Sequence, residues 1–294
     1  MRGMLKRACL TTLILAAALL CMHSSAGAKV HSGKWKNNTT WYYDTKTKTV
    51  TIACRGKMYE KMSGMGCAGD WQKWYREVKQ VVFKPGITYI ASFAFDSFNE
   101  LEEVALPEGL VSIGANAFCD CPRLKRINFP STLREVDNAA FCYTRIEEAS
   151  LRNLEVLGGM AFYGTGLKRL TIGGALGMVG SQAFAYCDKL ESLTIRDGVR
   201  KIGQGMFGIS AFRSVTIPAS VTEIKKQAFY SYSPKDGKLQ NVVIRSTKIK
   251  KWGKEIFGKA RKDLVIRVPK SKKREYTKAL RNGGLPEYVK IVGE

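Results

Sequence analysis

Phenylalanine recurs along this chain at intervals that few architectures tolerate. Phe95, Phe118, Phe141, Phe162, Phe184, Phe207, Phe229 and Phe257 are separated by 23, 23, 21, 22, 23, 22 and 28 residues, and all but Phe207 and Phe257 follow alanine. Aligned on these markers, the chain divides into eight units that begin near Val78, Leu101, Leu124, Ile146, Leu167, Leu190, Phe212 and Leu239. The clearest copy is LEEVALPEGLVSIGANAFCDCPR at 101–123, followed by LKRINFPSTLREVDNAAFCYTR at 124–145. A period of this length marks a stacked repeat, in which one unit is too small to bury its own apolar side and neighbours complete the core.

Each unit carries apolar residues at its first, fourth and sixth positions, again near the tenth and thirteenth, and phenylalanine near the eighteenth. The fourth and sixth residues alternate, so they point the same way from a short strand. In the second unit these are Val104 and Leu106, and Pro107 ends the strand. Leu110, Ile113 and Phe118 return the chain along the other side. Stacked copies then form a ladder of parallel strands about 4.8 Å apart.

These units resemble the BspA-type leucine-rich repeat, whose pattern is similar to LxxLxLPxxLxxIGxxAFxxCxx. The likeness spans residues 78–263 in eight copies and implies a leucine-rich repeat solenoid. That fold is mainly β, with short parallel strands, irregular or short helical returns, and small caps at both ends. Departures occur at the fourth unit, which is short and lacks proline, at an insertion through Pro234-Lys235-Asp236-Gly237, and at the lengthened eighth unit with Trp252. The resemblance also implies a secreted or surface protein that binds or adheres and performs no catalysis.

The flanks read as caps. Residues 29–77 hold Trp35, Trp41, Tyr42, Tyr43, Trp71, Trp74 and Tyr75, with strands at TTWYYD and KTVTIACRGKM around a turn at Asp44–Lys48. This aromatic cluster is either a cover on the first rung or a carbohydrate-stacking face; the cover is the simpler account. Residues 264–294 place a last strand at LVIRVP, then a helix capped by Ser271 with Tyr276 and Leu280 on one side, stopped at Gly283-Gly284 before a closing strand YVKIV. Lys270, Lys272, Lys273, Arg274, Lys278 and Arg281 make this cap the most basic patch.

Third positions of the units point away from the core on the strand face. Glu103, Arg126, Glu148 and Arg169 alternate in sign there, and are the candidate ligand contacts on a concave face. The same alternation has a structural reading, in which opposite charges on neighbouring rungs pair and fix rung order. The fifth positions are small and carry no aromatic anchor, so the structural reading is preferred. Cys121 and Cys187 sit where the family pattern has cysteine and are expected as small turn fillers. Cys119 and Cys142 follow the marker phenylalanine in adjacent units, within disulfide reach if the units stack, although side chains rising in parallel would strain that bridge. Cys54 and Cys67 flank a 12-residue loop and form a second candidate pair.

Residues 1–28 begin with Arg2, Lys6 and Arg7, continue in an uncharged run from Ala8 to Met22, and end in Ala26-Gly27-Ala28. This is the layout of a secretory signal peptide, and the run is shorter than the roughly 20 residues needed to span a bilayer. No later stretch could span one, so the mature chain is expected outside the cell, free or surface-associated. Removing the leader lowers the formal net charge from +23 to +20. Secretion argues against nucleic acid as the partner for that charge; a protein or glycan ligand, or an anionic wall polymer, is the better match. Only two histidines occur, His23 and His31, which excludes a histidine-rich metal site and argues against histidine-dependent hydrolysis. No phosphate loop, HExxH motif or set-apart carboxylate pair is present, and no cofactor is expected. The expected function is therefore protein or glycan binding or adhesion. The alternatives are a wall-associated structural protein held by its basic charge and, less favoured, a secreted enzyme.

Overall fold

The computed structural model describes residues 29–36, 38–59, 69–174, 176–233 and 237–294. The expected leader, residues 1–28, lies outside them, as do Cys67 and Pro234-Lys235-Asp236.

The chain winds as a parallel β-solenoid with three sides. The first side is a ladder of strands: Gln80–Phe83, Glu103–Ala105, Arg126–Ile127, Glu148–Leu151, Arg169–Ile172, Ser192–Ile195, Ser214–Ile217, Asn241–Ile244 and Val265–Val268. Register is set by equivalent repeat positions, with Glu103 opposite Arg126, Glu148 opposite Arg169 and Ser214 opposite Asn241. Val104 and Leu106 point inward and are buried, as their alternation requires. A second ladder of two-residue strands, including Ser112–Ile113, Glu135–Val136 and Val156–Leu157, runs along the next side. Ile113, Val136 and Leu157 line the core there.

The third side carries the marker phenylalanines. Its returns are irregular turns rather than helices, held rung to rung by backbone hydrogen bonds. Phe95, Phe118, Phe141 and Phe162 donate their N–H groups to the carbonyls of Ala117, Ala140, Ala161 and Ala183, each at 2.8 Å. From Phe95 to Phe207, residues two before and two after the marker occupy the left-handed region, as at Asn116 and Asp120 or Ala139 and Tyr143. Their N–H groups also point along the stack, Asn116 to Asn138 and Asp120 to Cys142, both at 2.9 Å. A left-handed residue other than glycine costs free energy, and these bonds to the next rung offset it.

Inside the solenoid the phenylalanine rings form one continuous stack from Phe95 to Phe257. Successive centroids are 5.1–5.8 Å apart and successive planes are tilted by no more than 22°. Trp71 extends this spine by one ring, stacking on Phe95 at 5.9 Å.

Both ends are covered. Strands Val30–Trp35, Thr39–Asp44 and Thr49–Cys54 form an antiparallel sheet, and the third of these pairs in parallel with Gln80–Phe83. The first ladder thus begins before the repeat does. Asp44 accepts the N–H groups of Lys46 and Thr47 at the expected turn. Trp41, Tyr43 and Trp71 are buried, and the Trp71 indole donates to the carbonyl of Ala94 at 3.0 Å. The N-terminal aromatics therefore include a cover on the first rung. At the other end the helix Lys273–Asn282 buries Tyr276 and Leu280. Its N-cap is Lys272 with no side-chain cap bond, because Ser271 lies within the 3-10 turn Lys270–Lys272; the expected Ser271 cap is not made. The closing strand Lys290–Gly293 pairs in parallel with Val265–Val268, so the cap continues the ladder.

Phe141 lies mid-stack, fully buried between Phe118 and Phe162. Phe141→Ala leaves a cavity that neighbouring rungs cannot close without breaking register, and is expected to lower the unfolding free energy by about 3–5 kcal/mol. Chemical denaturation at equilibrium checks this; a loss below about half a kcal/mol would remove the spine from the core.

Candidate functional site

Three surfaces are candidates: the strand face, the C-terminal cap and the outer edge of the returns. On the strand face the sign-alternating residues meet across rungs. Arg126 bonds to Glu103 at 3.1 Å, and Lys168 to Glu147 at 3.1 Å. Arg169 pairs with Glu148, and Lys79 with Glu102 at 3.8 Å. The four candidate contacts Glu103, Arg126, Glu148 and Arg169 are thus brought together as two ion pairs, between rungs held in register. A ligand engaging either arginine must compete with a carboxylate already in place. Two fifth positions, Val82 and Ala105, are buried rather than presented.

The basic patch divides by role. Lys272 pairs with Glu275 at 2.6 Å. Arg281 donates to the carbonyls of Val289 at 2.7 Å and of Leu285 and Glu287 at 3.3 Å, which pins the closing segment to the helix. Lys270, Lys273, Arg274 and Lys278 are exposed and remain available to an anionic partner.

The third surface was not foreseen. Tyr143, Tyr163, Tyr186, Tyr230 and Tyr232 run along the outer edge of the returns, with Tyr143, Tyr186 and Tyr232 exposed. Tyr143 contacts Tyr163 edge-on at 5.6 Å, and Tyr163 is tilted against Tyr186 at 4.9 Å. Tyr186 and Tyr232 share a hydrogen bond at 2.9 Å, and Tyr230 meets Tyr232 edge-on. The Tyr232 contact raises the Tyr186 phenol to about 12, with burial adding to it. Tyr143 and Tyr186 occupy the left-handed position two after the marker phenylalanine, where the turn swings the side chain outward. The signal in the sequence was tyrosine recurring one, two or three residues after the marker.

The cysteines separate into two kinds. Cys121 and Cys187 are buried fillers that donate to the carbonyls of Phe95 at 3.2 Å and Phe162 at 3.3 Å. In other returns Thr144, Thr165 and Ser210 occupy this position and bond to the marker carbonyl of their own rung. Burial pushes the Cys187 thiol up to about 11 and raises Cys121 as well. Cys119 and Cys142 are buried free thiols at the same position of adjacent rungs. Cys54 is a buried free thiol within hydrogen-bond distance of the Lys57 carbonyl at 3.5 Å; its candidate partner Cys67 lies outside the described residues. No described helix is long and apolar enough to cross a membrane.

Comparison with known proteins agrees with this architecture. The family model for the BspA type leucine-rich repeat region matches residues 73–189 and 157–283, in six copies. A leucine-rich repeat protein from Eubacterium ventriosum has a similar structure, with a TM-score of 0.60 at 16% identity, covering 90% of this chain and 68% of that one. A leucine-rich repeat protein from Bacteroides ovatus aligns with a TM-score of 0.49 at 17% identity, over 89% of this chain and 78% of that one. The leucine-rich repeat protein of T. pallidum aligns at 0.47 and 21% identity, over 87% of this chain and 99% of that one. A search of curated proteins returns no match.

Arg169→Glu would set like charges side by side with Glu148 in adjacent rungs. The expected result in a urea titration is a loss of about 0.2–1 kcal/mol. Adding Glu148→Arg in the same chain should recover most of it, and high salt should shrink both effects. The buried Cys121 and Cys187 are expected to alkylate slowly in the native chain and at the rate of free thiols after denaturation, as read by mass spectrometry.

Proposed function

Because the chain belongs to the BspA-type leucine-rich repeat family, we propose that it is a secreted, non-catalytic binding protein that recognises a protein partner through the tyrosine edge of its solenoid. The observation that carries this reading is the row Tyr143, Tyr163, Tyr186 and Tyr232, exposed or half-exposed and fixed by ring contacts and a hydrogen bond. Tyrosine offers large amphipathic contact area at low conformational cost, and it dominates binding hot spots when held rigid. Ring stacking and the Tyr186–Tyr232 hydrogen bond supply that rigidity in advance of binding. The rings meet edge-on or tilted, at 86°, 42° and 51°, giving a corrugated surface rather than a flat platform. Such relief suits protein side chains better than the stacking of a sugar ring, so a glycan ligand is the weaker match.

The leader expected at residues 1–28 supports placement outside the cell, where adhesion to a surface protein is the corresponding role. A second reading, retention on an anionic wall polymer, is supported by the exposed cations Lys270, Lys273, Arg274 and Lys278. The two differ in salt dependence. Tethering by these cations weakens steeply with ionic strength, and docking on tyrosine does not.

Binding of the purified chain to arrays of surface proteins and glycans tests the reading. The joint substitution of Tyr143, Tyr186 and Tyr232 by alanine is expected to lower affinity for the protein partner at least about tenfold, since one hot-spot residue alone accounts for about 2 kcal/mol. The circular dichroism spectrum should be unchanged, as these side chains lie outside the core. Binding unaffected by the substitutions, or abolished by moderate salt, would exclude the tyrosine edge as the docking surface.

A further inference from the structure

Three successive returns place Asp96, Cys119 and Cys142 at one repeat position, directly after the marker phenylalanine, with Asp120 one residue further on. The N–H of Ser97 donates to the Cys119 carbonyl and that of Asp120 to the Cys142 carbonyl, both at 2.9 Å, so the three turns are locked in register. A carboxylate oxygen from each of Asp96 and Asp120 and the Cys119 sulfur all lie within 4.8 Å of one another. Cys142 stands at the same repeat position one rung on, its carbonyl accepting the Asp120 N–H, which makes its buried thiol the next donor along the stack. The two thiols are only 8% and 3% exposed, Asp96 is half-buried and Asp120 is exposed, so the cluster opens to solvent on its aspartate side.

We propose that Asp96, Cys119, Asp120 and Cys142 form a binding site for a thiophilic divalent cation of the zinc class. Two sulfur and two oxygen donors are a ligand set for a tetrahedral ion of borderline softness. With metal–sulfur bonds of about 2.3 Å, two sulfurs on one tetrahedral ion sit about 3.8 Å apart. Side chains rising in parallel from neighbouring rungs reach that separation readily. The alternative, a disulfide, lies within the permitted α-carbon range for neighbouring rungs, but side chains rising in parallel would strain it. Binding converts both thiols to thiolates, forms two metal–sulfur bonds and releases two protons, with no transfer of electrons. The ion would tie three consecutive rungs together beside Tyr143, at one end of the tyrosine row. This site does not depend on the proposed partner.

The full chain, reduced and freed of metal, is titrated with cobalt(II) and then with zinc(II). The expected result is one cobalt ion per chain, with the intense visible bands of a tetrahedral thiolate site, displaced by one equivalent of zinc. Cys119→Ser with Cys142→Ser should abolish the bands. Asp120→Asn, an exposed change that leaves the core intact, should weaken affinity at least about tenfold, the loss typical when even an outer-shell partner of a metal ligand is removed. Absence of thiolate bands at excess cobalt would overturn the proposal. So would bands that survive the double cysteine substitution, or affinity indifferent to Asp120→Asn. A Cys119–Cys142 disulfide that forms in the presence of saturating zinc, read as the loss of two hydrogens by mass, would overturn it as well.

Discussion

Everything in this fold depends on neighbouring rungs meeting in register. The phenylalanine stack is where that dependence is plainest, because each ring stacks on the rings before and after it. A single rung has no interior of its own. Its apolar positions face an inside that exists only when other rungs supply the walls, so stability is a sum of nearest-neighbour contacts along one axis. The caps follow from the same constraint. Trp71 gives the first ring a partner, and the helix carrying Tyr276 and Leu280 covers the last turns.

The backbone on the phenylalanine side adds a second condition. From Phe95 to Phe207, two left-handed residues per return aim alternate N–H groups along the stack, where the next rung accepts them. The local conformation is unfavourable for residues such as Tyr143 and Tyr186, and neighbours maintain it. One geometric requirement thus orders the core and also turns tyrosines outward. The candidate binding edge is a by-product of the way the returns hydrogen-bond, and its rigidity comes from the solenoid beneath it.

Much of this was legible in the sequence because repetition makes pattern visible. The alternation of Val104 and Leu106 placed the strands, Phe118 and its equivalents placed the core, and Glu103 opposite Arg126 and Glu148 opposite Arg169 followed from counting. Three features were not legible. Ser271 reads as a helix cap, yet a 3-10 turn advances the helix start past it. The N-terminal sheet supplies a rung before the first repeat because its strand Thr49–Cys54 copies the ladder's pairing without its motif. The tyrosine row escaped notice because its members sit at three different offsets from the marker, and only the left-handed turn brings them to one edge.

From Phe93 to Glu255, the inter-rung N–H groups at the marker phenylalanines and two residues to either side run one way, each rung giving to the rung that follows. The Trp71 indole fills the first vacant acceptor, on Ala94, and the N–H of Glu255 near the far end finds the carbonyl of Gly283. The stack therefore has a polarity, like a row of magnets laid head to tail. Cut anywhere along this side, it would bare acceptors on one face and donors on the other. Severed halves could rejoin in only one orientation.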